Sequence, residues 1–229
     1  MPTAVLFDVD GTLVDSVDLH AQAWRKALAR FGHELPYEAV RSQIGKGADQ
    51  LLPAFLSPVE LRSYGEELES WRGDLYRREY LPLVRPFPRV RQLLQRIRRG
   101  GARVALASSS RREELAVYVG VLGVGDLLDA ATTADDVDRS KPSPDVFVAC
   151  LRRLGVPAHH AVAVGDSPCD AESAADAGVR TVGLLCGGFD PDQLRASGVV
   201  ALYSDPSDLF ERFEASPLGQ DEDSGRPWA

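Results

Sequence analysis

The chain has 229 residues, of which 44% are hydrophobic, and it carries a formal net charge of −8 at pH 7. This length is sufficient for one well-buried α/β core with a smaller attached module, and the negative charge provides no positive field that would attract nucleic acid. Three widely spaced cysteines (Cys150, Cys169 and Cys186), no apolar run of roughly 18 residues and no basic leader predict a soluble cytoplasmic protein without disulfides or membrane contact.

Short, uninterrupted apolar runs mark the predicted strands. The first, at residues 4–7, ends at acidic residues and a glycine, as expected of a strand that is buried on both faces of a parallel sheet. Similar runs follow at residues 103–107, 161–164 and 181–185, each reached through a helical segment or a glycine-marked turn. This alternation predicts an α/β fold with a Rossmann-like, doubly wound parallel sheet.

Residues 17–81 interrupt this alternation, because their hydrophobic pattern is that of amphipathic helices without a buried strand. The first of these helices should end at Gly32, a common helix-terminating residue. Prolines make residues 81–88 unsuitable for a helix, so the chain should return to the core there. We therefore predict three parts, namely an α/β core at 1–16 and 82–214, an inserted helical cap domain at 17–81 and a polar, disordered tail at 215–229.

Two acidic residues, Asp8 and Asp10, follow the first predicted strand. Ligands of open α/β sheets bind beyond the carboxyl ends of the strands, and residues two apart on a strand share a face. Both carboxylates can therefore face one crevice before Gly11 lets the chain turn, although an aspartate before a glycine is also common in ordinary turns. Like charges about 4 Å apart repel by around 4 kcal/mol at an effective dielectric constant near 20, so the pair needs a proton or a cation.

A second acidic pair, Asp166 and Asp170, follows the predicted strand at 161–164. Asp170 lies about one helical turn after Asp166 and should return to the same side, while either residue could instead cap the following helix. Because both acidic pairs lie at the carboxyl ends of predicted parallel strands, we expect four carboxylates to converge on one site. Such a cluster suits Mg²⁺, which needs only one or two carboxylates and keeps water ligands that a phosphate can replace.

Serines occupy the turn between the predicted strand at 103–107 and the next helix. Ser110 and Glu113 have the spacing of a capping box, so Ser110 is expected to be structural. Ser108 has no such role. Its hydroxyl and the backbone N–H groups beside it, including that of Ser109, are therefore candidates for binding a phosphate oxygen.

Lys141 lies on a loop before a predicted helix that ends at Gly155. Ser143 has the character of the N-cap of that helix and Pro144 that of its first residue, which leaves Lys141 outside the helix. A lysine anchored by the adjoining Pro142 can neutralise a phosphoryl group, whereas an isolated lysine is more often solvated at the surface.

In chain order, the motif DVDGTLVDS, Ser108, the pair Lys141-Pro142 and the motif GDSPCD resemble the motifs of the haloacid dehalogenase superfamily. The similarity spans residues 4 to about 185. It is closest to the phosphatases with a helical cap inserted after the first strand, in the subgroup of phosphoglycolate phosphatases and β-phosphoglucomutases. The resemblance implies a phosphoric monoester hydrolase that uses Mg²⁺ to hydrolyse a small phosphorylated metabolite.

The resemblance also implies a role for each matching aspartate. Asp8 would be the nucleophile that forms an aspartyl phosphate, and Asp10 would be the general acid and base. A carboxylate oxygen of Asp8, the backbone carbonyl of Asp10 and the carboxylate of Asp166 would bind Mg²⁺, with Asp170 supporting them.

Ser108 and Lys141 would balance the charge of the transferring phosphoryl group, and the cap would determine which substrate enters. Our candidates for cap residues that contact the substrate are His20, Trp24 and Lys46, the last on a flexible Gly-Lys-Gly loop. Helix packing is the simpler role for Trp24, and a solvated first turn is the simpler role for His20.

Three alternative functions are consistent with parts of this pattern. A β-phosphoglucomutase would share His20 and Trp24, but the arginine that grips the second phosphate in that enzyme has no clear match near Ala48. A phosphonate hydrolase would need a nucleophilic cap lysine, for which Lys46 is the only tempting position. A phospho-receiver module would carry its metal-binding acid pair and its phospho-acceptor aspartate on separate strands and would lack a large helical insertion. We expect a monomer or a weak homodimer whose partner is a small phosphorylated metabolite.

Overall fold

The computed structural model describes residues 1–220, and its centre is a parallel β-sheet. The strands in this part of the chain are, in order, Ala4–Phe7 (β1), Val14–Asp15 (β2), Arg85–Pro86 (β3), Arg103–Ala107 (β4), Ala130–Thr132 (β5), Ala161–Gly165 (β6), Arg180–Leu184 (β7) and Ala201–Tyr203 (β8). Six of them form the main sheet in the order β5-β4-β1-β6-β7-β8, while β2 and β3 form a separate antiparallel ribbon.

The central strand β1 determines where a ligand can bind. Its four residues are completely buried, and Phe7 is in register with Leu106 of β4 and Val164 of β6. The carboxyl ends of these three strands therefore lie side by side. The chain runs outward from β1 through β4 to β5 and resumes on the other side of β1 with β6, which creates a topological switch point of the kind at which α/β proteins bind ligands.

Helices cover both faces of the main sheet. The α-helices of residues 1–220 are Val17–Arg30 (α1), Tyr37–Arg41 (α2), Ala48–Leu51 (α3), Pro58–Leu75 (α4), Val90–Arg99 (α5), Arg112–Leu122 (α6), Asp145–Leu154 (α7), Pro168–Asp176 (α8), Pro191–Ala196 (α9) and Pro206–Glu211 (α10). Leu93 of α5 and Tyr118 of α6 pack in one buried cluster, whereas Phe147 of α7 and Ala174 of α8 pack in another. The predicted α/β fold with a doubly wound parallel sheet is confirmed.

The helices α1 to α4 contribute a third hydrophobic cluster, in which Trp24 of α1, Val40 of α2 and Leu68 of α4 are buried together. The first helix ends where the sequence predicts, because Gly32 adopts φ 93°, a conformation that glycine takes without steric cost. That residues 17–81 form a domain of their own stays a prediction.

The helical insertion is connected to the rest of the chain, here called the sheet side because it contains the main sheet, through the neighbouring strands β2 and β3. After α4 the chain makes a π-helical turn at Tyr76–Tyr80 and a 3₁₀ turn at Leu81–Leu83 before it enters β3. Val14 of β2 lies opposite Pro86 of β3, so the exit and the return of the insertion are held together. Within residues 1–220, no helix combines the length and the hydropathy of a bilayer-spanning segment.

The described structure differs from the sequence prediction at the sheet edges and at the C-terminus. The edge strands β5 and β8 were not predicted, because three residues are too few to give a recognisable apolar run. The disordered tail was predicted to begin at residue 215, which is wrong for residues 215–220, since Leu218 is 1% exposed and packs against the main cluster. The remainder of the predicted tail, residues 221–229, lies outside the described residues.

Candidate active site

Three carboxylates meet beyond the carboxyl end of the central strand. Asp8 directly follows β1, Asp166 directly follows β6, and Asp170 lies in the first turn of α8. One carboxylate oxygen from each residue lies within 4.8 Å of the other two, and all three residues are buried. The in-register pairing of β1 with β6 explains this convergence, because it places the two strand ends side by side.

Lys141 supplies the positive charge of this cluster. Its side chain is completely buried, and its Nζ atom donates to Asp8 Oδ1 at 2.5 Å and to Asp170 Oδ1 at 2.7 Å. Burial alone would lower the pKa of Lys141, but the charges of Asp170 and Asp8 outweigh that effect and raise it. The alternative of a solvated surface lysine is therefore wrong.

Asp166 lies in a tight backbone cradle. Thr12 Oγ1 donates to Asp166 Oδ1 at 2.8 Å. A Cβ atom on Gly187 or on Gly11 would overlap Asp166 Oδ2, and Gly11 also adopts φ 83°. Glycine at these two positions lets the backbone approach the carboxylate closely, which fixes where its oxygens lie.

The excess of negative charge makes this cluster suitable for a cation. Burial and the charge of Asp170 raise the pKa of Asp8 to about 7, and burial with the charges of Asp170 and Asp8 raises the pKa of Asp166 well above its ordinary value. When all three carboxylates are ionised, they exceed the single ammonium group by two negative charges, which a divalent cation would neutralise. Buried carboxylate oxygens are ligands that Mg²⁺ prefers, so Asp8, Asp166 and Asp170 fit the metal that the resemblance implies.

Asp10 belongs to a different hydrogen-bond network, so three carboxylates converge in this structure and not the expected four. Asp10 Oδ1 accepts a hydrogen bond from Ser16 Oγ at 2.6 Å and lies 2.8 Å from His20 Nε2, while Oδ2 accepts from Ser110 Oγ at 2.6 Å. Burial would raise the pKa of Asp10, but the electrostatic interaction with His20 and these hydrogen bonds outweigh it and hold the pKa well below its ordinary range.

The three serines after β4 differ in the contacts that their hydroxyl groups make. The helix α6 begins at Arg112 after Arg111, without a side-chain cap, so the capping-box prediction for Ser110 is wrong, because its hydroxyl is occupied by Asp10. Ser108 is completely buried, and its hydroxyl accepts a hydrogen bond from the Ser110 backbone N–H at 3.0 Å. The Ser109 hydroxyl is buried beside the cavity and has no hydrogen-bond partner among the described residues.

Two other helix starts differ from the sequence prediction in detail. The helix α7 follows Pro144 as its cap residue, and Ser143, the predicted cap, donates its hydroxyl to the Asp145 carboxylate. The helix α8 follows Ser167, whose hydroxyl accepts a hydrogen bond from the Asp170 backbone N–H. Asp170 completes this capping box through Oδ2 and contacts Lys141 through Oδ1, so it has a structural contact and a site contact at once.

A cavity of about 240 Å³ is lined by the carboxylate side of the sheet and by residues of the helical insertion, among them His20, Trp24 and Lys46. His20 is buried against Asp10, so the alternative of a solvated first turn is wrong. Trp24 is 5% exposed and packs in the cluster of α1 to α4, as expected if its role is helix packing. Lys46 lies on the cavity wall, where its Nζ atom donates to Gln43 Oε1 at 2.7 Å.

Buried polar residues behind His20 were not predicted from the sequence. One feature of the sequence does indicate them. Arg72 of α4 lies four residues after Leu68 and three before Leu75, which are buried on the same face of that helix. A charged residue on such a face needs a partner inside the protein. The polar side chains that meet there are Arg72, Tyr76, Glu114 and Tyr118.

Comparisons with a family model, with known proteins and with solved structures all find hydrolases. A family model described as haloacid dehalogenase-like hydrolase matches residues 2–178. A phosphoglycolate phosphatase from Nitrosospira multiformis is 31% identical over 217 residues, which cover 91% of this chain and 96% of that protein. A phosphorylated carbohydrates phosphatase from Thermotoga maritima is 28% identical over 200 residues, covering 87% of this chain and 93% of the relative. The crystal structure of a hydrolase from Pseudomonas syringae has a TM-score of 0.85 and 27% identity, covering 93% of this chain and 98% of that one.

Proposed function

Since this chain belongs to the haloacid dehalogenase-like hydrolase family and is a phosphatase, we propose that it hydrolyses a small phosphorylated metabolite with Mg²⁺ through an aspartyl phosphate on Asp8. The substrate would be of the phosphoglycolate or sugar phosphate type. The observation that carries the proposal is the buried cluster of Asp8, Asp166 and Asp170 around Lys141. Phosphoryl transfer needs a positioned nucleophile and positive charge near the phosphoryl oxygens.

The reaction proceeds in two displacements at phosphorus. In the first, an oxygen of Asp8 attacks, the bond between phosphorus and the leaving oxygen breaks, and Asp10 donates a proton to that oxygen. In the second, Asp10 accepts a proton from the water that attacks the aspartyl phosphate, which releases inorganic phosphate and restores Asp8. Mg²⁺ held by Asp8, Asp166, Asp170 and the backbone carbonyl of Asp10 would neutralise charge on the carboxylates and the phosphoryl group.

The hydrogen bonds to Asp10 suit the second displacement of this reaction. The contacts with Ser16, His20 and Ser110 favour its carboxylate form, which is the form that accepts a proton in the second step. The first step needs the protonated form. A negatively charged phosphate ester bound nearby raises the pKa of a carboxyl group, so substrate binding itself favours the proton that the first step uses.

Several groups around the cavity are suited to binding the rest of the substrate. The Ser109 hydroxyl is buried and unpartnered among the described residues, which leaves it available to a phosphoryl oxygen. Ser108 lies next to it at the end of β4, and Lys46 brings a cation to the cavity wall. A volume of about 240 Å³ is smaller than the roughly 300–1,000 Å³ of sites for drug-sized ligands, which favours a small metabolite.

Phosphate release by purified variants tests the proposal. We expect Mg²⁺-dependent release of inorganic phosphate from members of a panel that includes phosphoglycolate and β-glucose 1-phosphate. Asp8→Asn should abolish turnover, since an amide cannot serve as the nucleophile. Asp15→Asn makes the same chemical change at an exposed position of β2 and is the matched control. Undiminished turnover by Asp8→Asn would refute the covalent mechanism.

Analysis of the products distinguishes a phosphatase from the mutase alternative. A phosphatase converts β-glucose 1-phosphate into glucose and free phosphate in equal amounts. A mutase converts it into an isomeric hexose phosphate with little free phosphate. Formation of the isomer as the main product would replace the phosphatase proposal with the mutase alternative.

A further inference from the structure

A buried arginine of the helical insertion contacts the histidine that faces Asp10. Arg72 of α4 is 9% exposed, and its Nη2 atom contacts Nδ1 of His20. The guanidinium group also lies over the rings of Trp24 and Tyr76, with its central carbon 5.0 Å and 4.7 Å from the ring centroids. These contacts leave the group little freedom to turn away from His20.

The chemistry of this contact determines where His20 carries its ring proton. A guanidinium group has five N–H donors and no acceptor, so the Nδ1 atom facing it has to be the unprotonated nitrogen. The ring hydrogen is then on Nε2, which lies 2.8 Å from Asp10 Oδ1. His20 in this tautomer donates a hydrogen bond to Asp10.

The remaining neighbours hold the imidazole ring in this orientation. The ring of Tyr76 stacks on that of His20 at 4.0 Å between centroids, with 9° between the planes. The Tyr118 hydroxyl lies 3.0 Å from His20 Nε2 and 2.7 Å from the Tyr76 hydroxyl. Glu114 of α6 is 2% exposed and lies 3.4 Å from Arg72 Nη1, which balances the buried positive charge.

We propose that Arg72 is a positioning residue for the reaction, because it fixes the tautomer in which His20 donates to Asp10 and so holds the Asp10 carboxylate toward the cavity. Arg72 belongs to the helical insertion, whereas Asp10 and Glu114 belong to the sheet side. His20 also belongs to the helical insertion, so its contact with Asp10 and the contact of Arg72 with Glu114 form only when the insertion is packed against the sheet side, and they link that packing to the geometry of Asp10. The catalytic part of this inference rests on the proposed function, but the tautomer of His20 does not.

Nitrogen-15 NMR of the imidazole rings tests the tautomer without any need for turnover. The chain has four histidines, and His20→Gln identifies the signals of His20 by their loss. Removing Arg72 alone would deprive the buried Glu114 of its arginine partner, so the test variant is the double substitution Arg72→Met with Glu114→Gln. The single variant Glu114→Gln, which keeps the arginine, is its matched control.

We expect Nδ1 of His20 to be unprotonated in the wild type and in Glu114→Gln, and to gain a proton in the double variant. Arg72→Lys should keep Nδ1 unprotonated, because an ammonium group also only donates. A protonated Nδ1 in the wild type would overturn the proposal. So would an unprotonated Nδ1 in a folded double variant, since Asp10 alone would then determine the tautomer.

Steady-state kinetics tests the consequence for the reaction. Groups that orient a metal-binding histidine through its second nitrogen typically change activity by roughly 10- to 100-fold, and by analogy we expect kcat of the double variant to fall by that factor relative to Glu114→Gln. KM should change little, and Arg72→Lys should recover most of kcat. A rise in KM with unchanged kcat would assign Arg72 to substrate binding and overturn the positioning role. Failure of the Asp8→Asn prediction would instead refute the proposed function and leave the NMR result standing.

Discussion

Lys141 illustrates how a single residue gains its role from burial. Its ammonium group is completely enclosed and donates to Asp8 and Asp170. Charge-assisted hydrogen bonds of this kind are shorter and stronger than neutral ones, so the lysine holds the proposed nucleophile in a defined orientation. In the proposed mechanism, the same positive charge would balance the charge of the transferring phosphoryl group.

We expect Lys141→Met to lower kcat by roughly 10²- to 10³-fold, the range observed when one donor to a developing negative charge is removed. Methionine keeps an unbranched side chain of similar length, so the substitution removes the charge while filling most of the space. Lys26→Met, on the surface of α1, is the matched control. The measurement is phosphate release at saturating substrate and Mg²⁺, and equal kcat values for the two variants would contradict the assigned role.

Asp136 shows how one carboxylate can join several elements. It follows β5, and its Oδ2 atom accepts hydrogen bonds from the backbone N–H and the hydroxyl of Thr133, both at 2.9 Å. Its Oδ1 atom accepts from Arg112 of α6 and Arg153 of α7, both at 2.7 Å. Burial would raise the pKa of Asp136, but the hydrogen bonds from Arg153 and Thr133 outweigh it and lower the pKa to about 2.

We expect Asp136→Asn to lower the free energy of unfolding at neutral pH by about 1 kcal/mol, after allowance for solvent screening. Because the pKa is lower in the folded chain than in the unfolded chain, this contribution is fully present above the ordinary aspartate pKa of 3.8. It is lost as the pH falls from there toward 2, so the difference between wild type and variant should shrink on acidification.

Urea unfolding from neutral pH downward measures this difference, with Asp138→Asn as the control at an exposed position two residues on. A difference between wild type and Asp136→Asn that stays constant or grows as the pH falls would contradict the assignment of the stabilisation to the ionised carboxylate.

Strand ends were the most predictable feature of this chain, and side-chain partners were the least. Asp8 and Asp166 follow apolar runs, and parallel pairing brings the ends of such runs to one edge of the sheet. Ser110 was wrongly predicted because its hydroxyl could cap α6 locally or bind Asp10, 100 residues away in sequence. The spacing of residues along the sequence does not show whether a side chain bonds a neighbouring residue or one that is distant in sequence. The contact of Arg72 with His20 could not be predicted for the same reason.

At the scale of the whole molecule, the candidate site is assembled where the helical insertion contacts the sheet side. Asp49 of α3 accepts a hydrogen bond at 3.1 Å from the backbone N–H of Ser140, the residue before Lys141. Arg41 of α2 donates to the Gly187 carbonyl at 3.1 Å, next to Asp166. The insertion is therefore anchored beside the residues that form the carboxylate cluster. Residues of the insertion thereby form part of the cavity wall, and covering an active site in this way limits the access of water to the reacting groups.

The stereochemical course at phosphorus tests most directly whether Asp8 carries the phosphoryl group. A phosphoryl group that is made chiral with three oxygen isotopes would be transferred by the enzyme from a substrate ester to an acceptor alcohol, and the configuration of the ester formed would be determined. Two in-line displacements, first by Asp8 and then by the alcohol, invert phosphorus twice. We therefore predict net retention of configuration, whereas net inversion would show a single direct displacement and contradict the aspartyl phosphate.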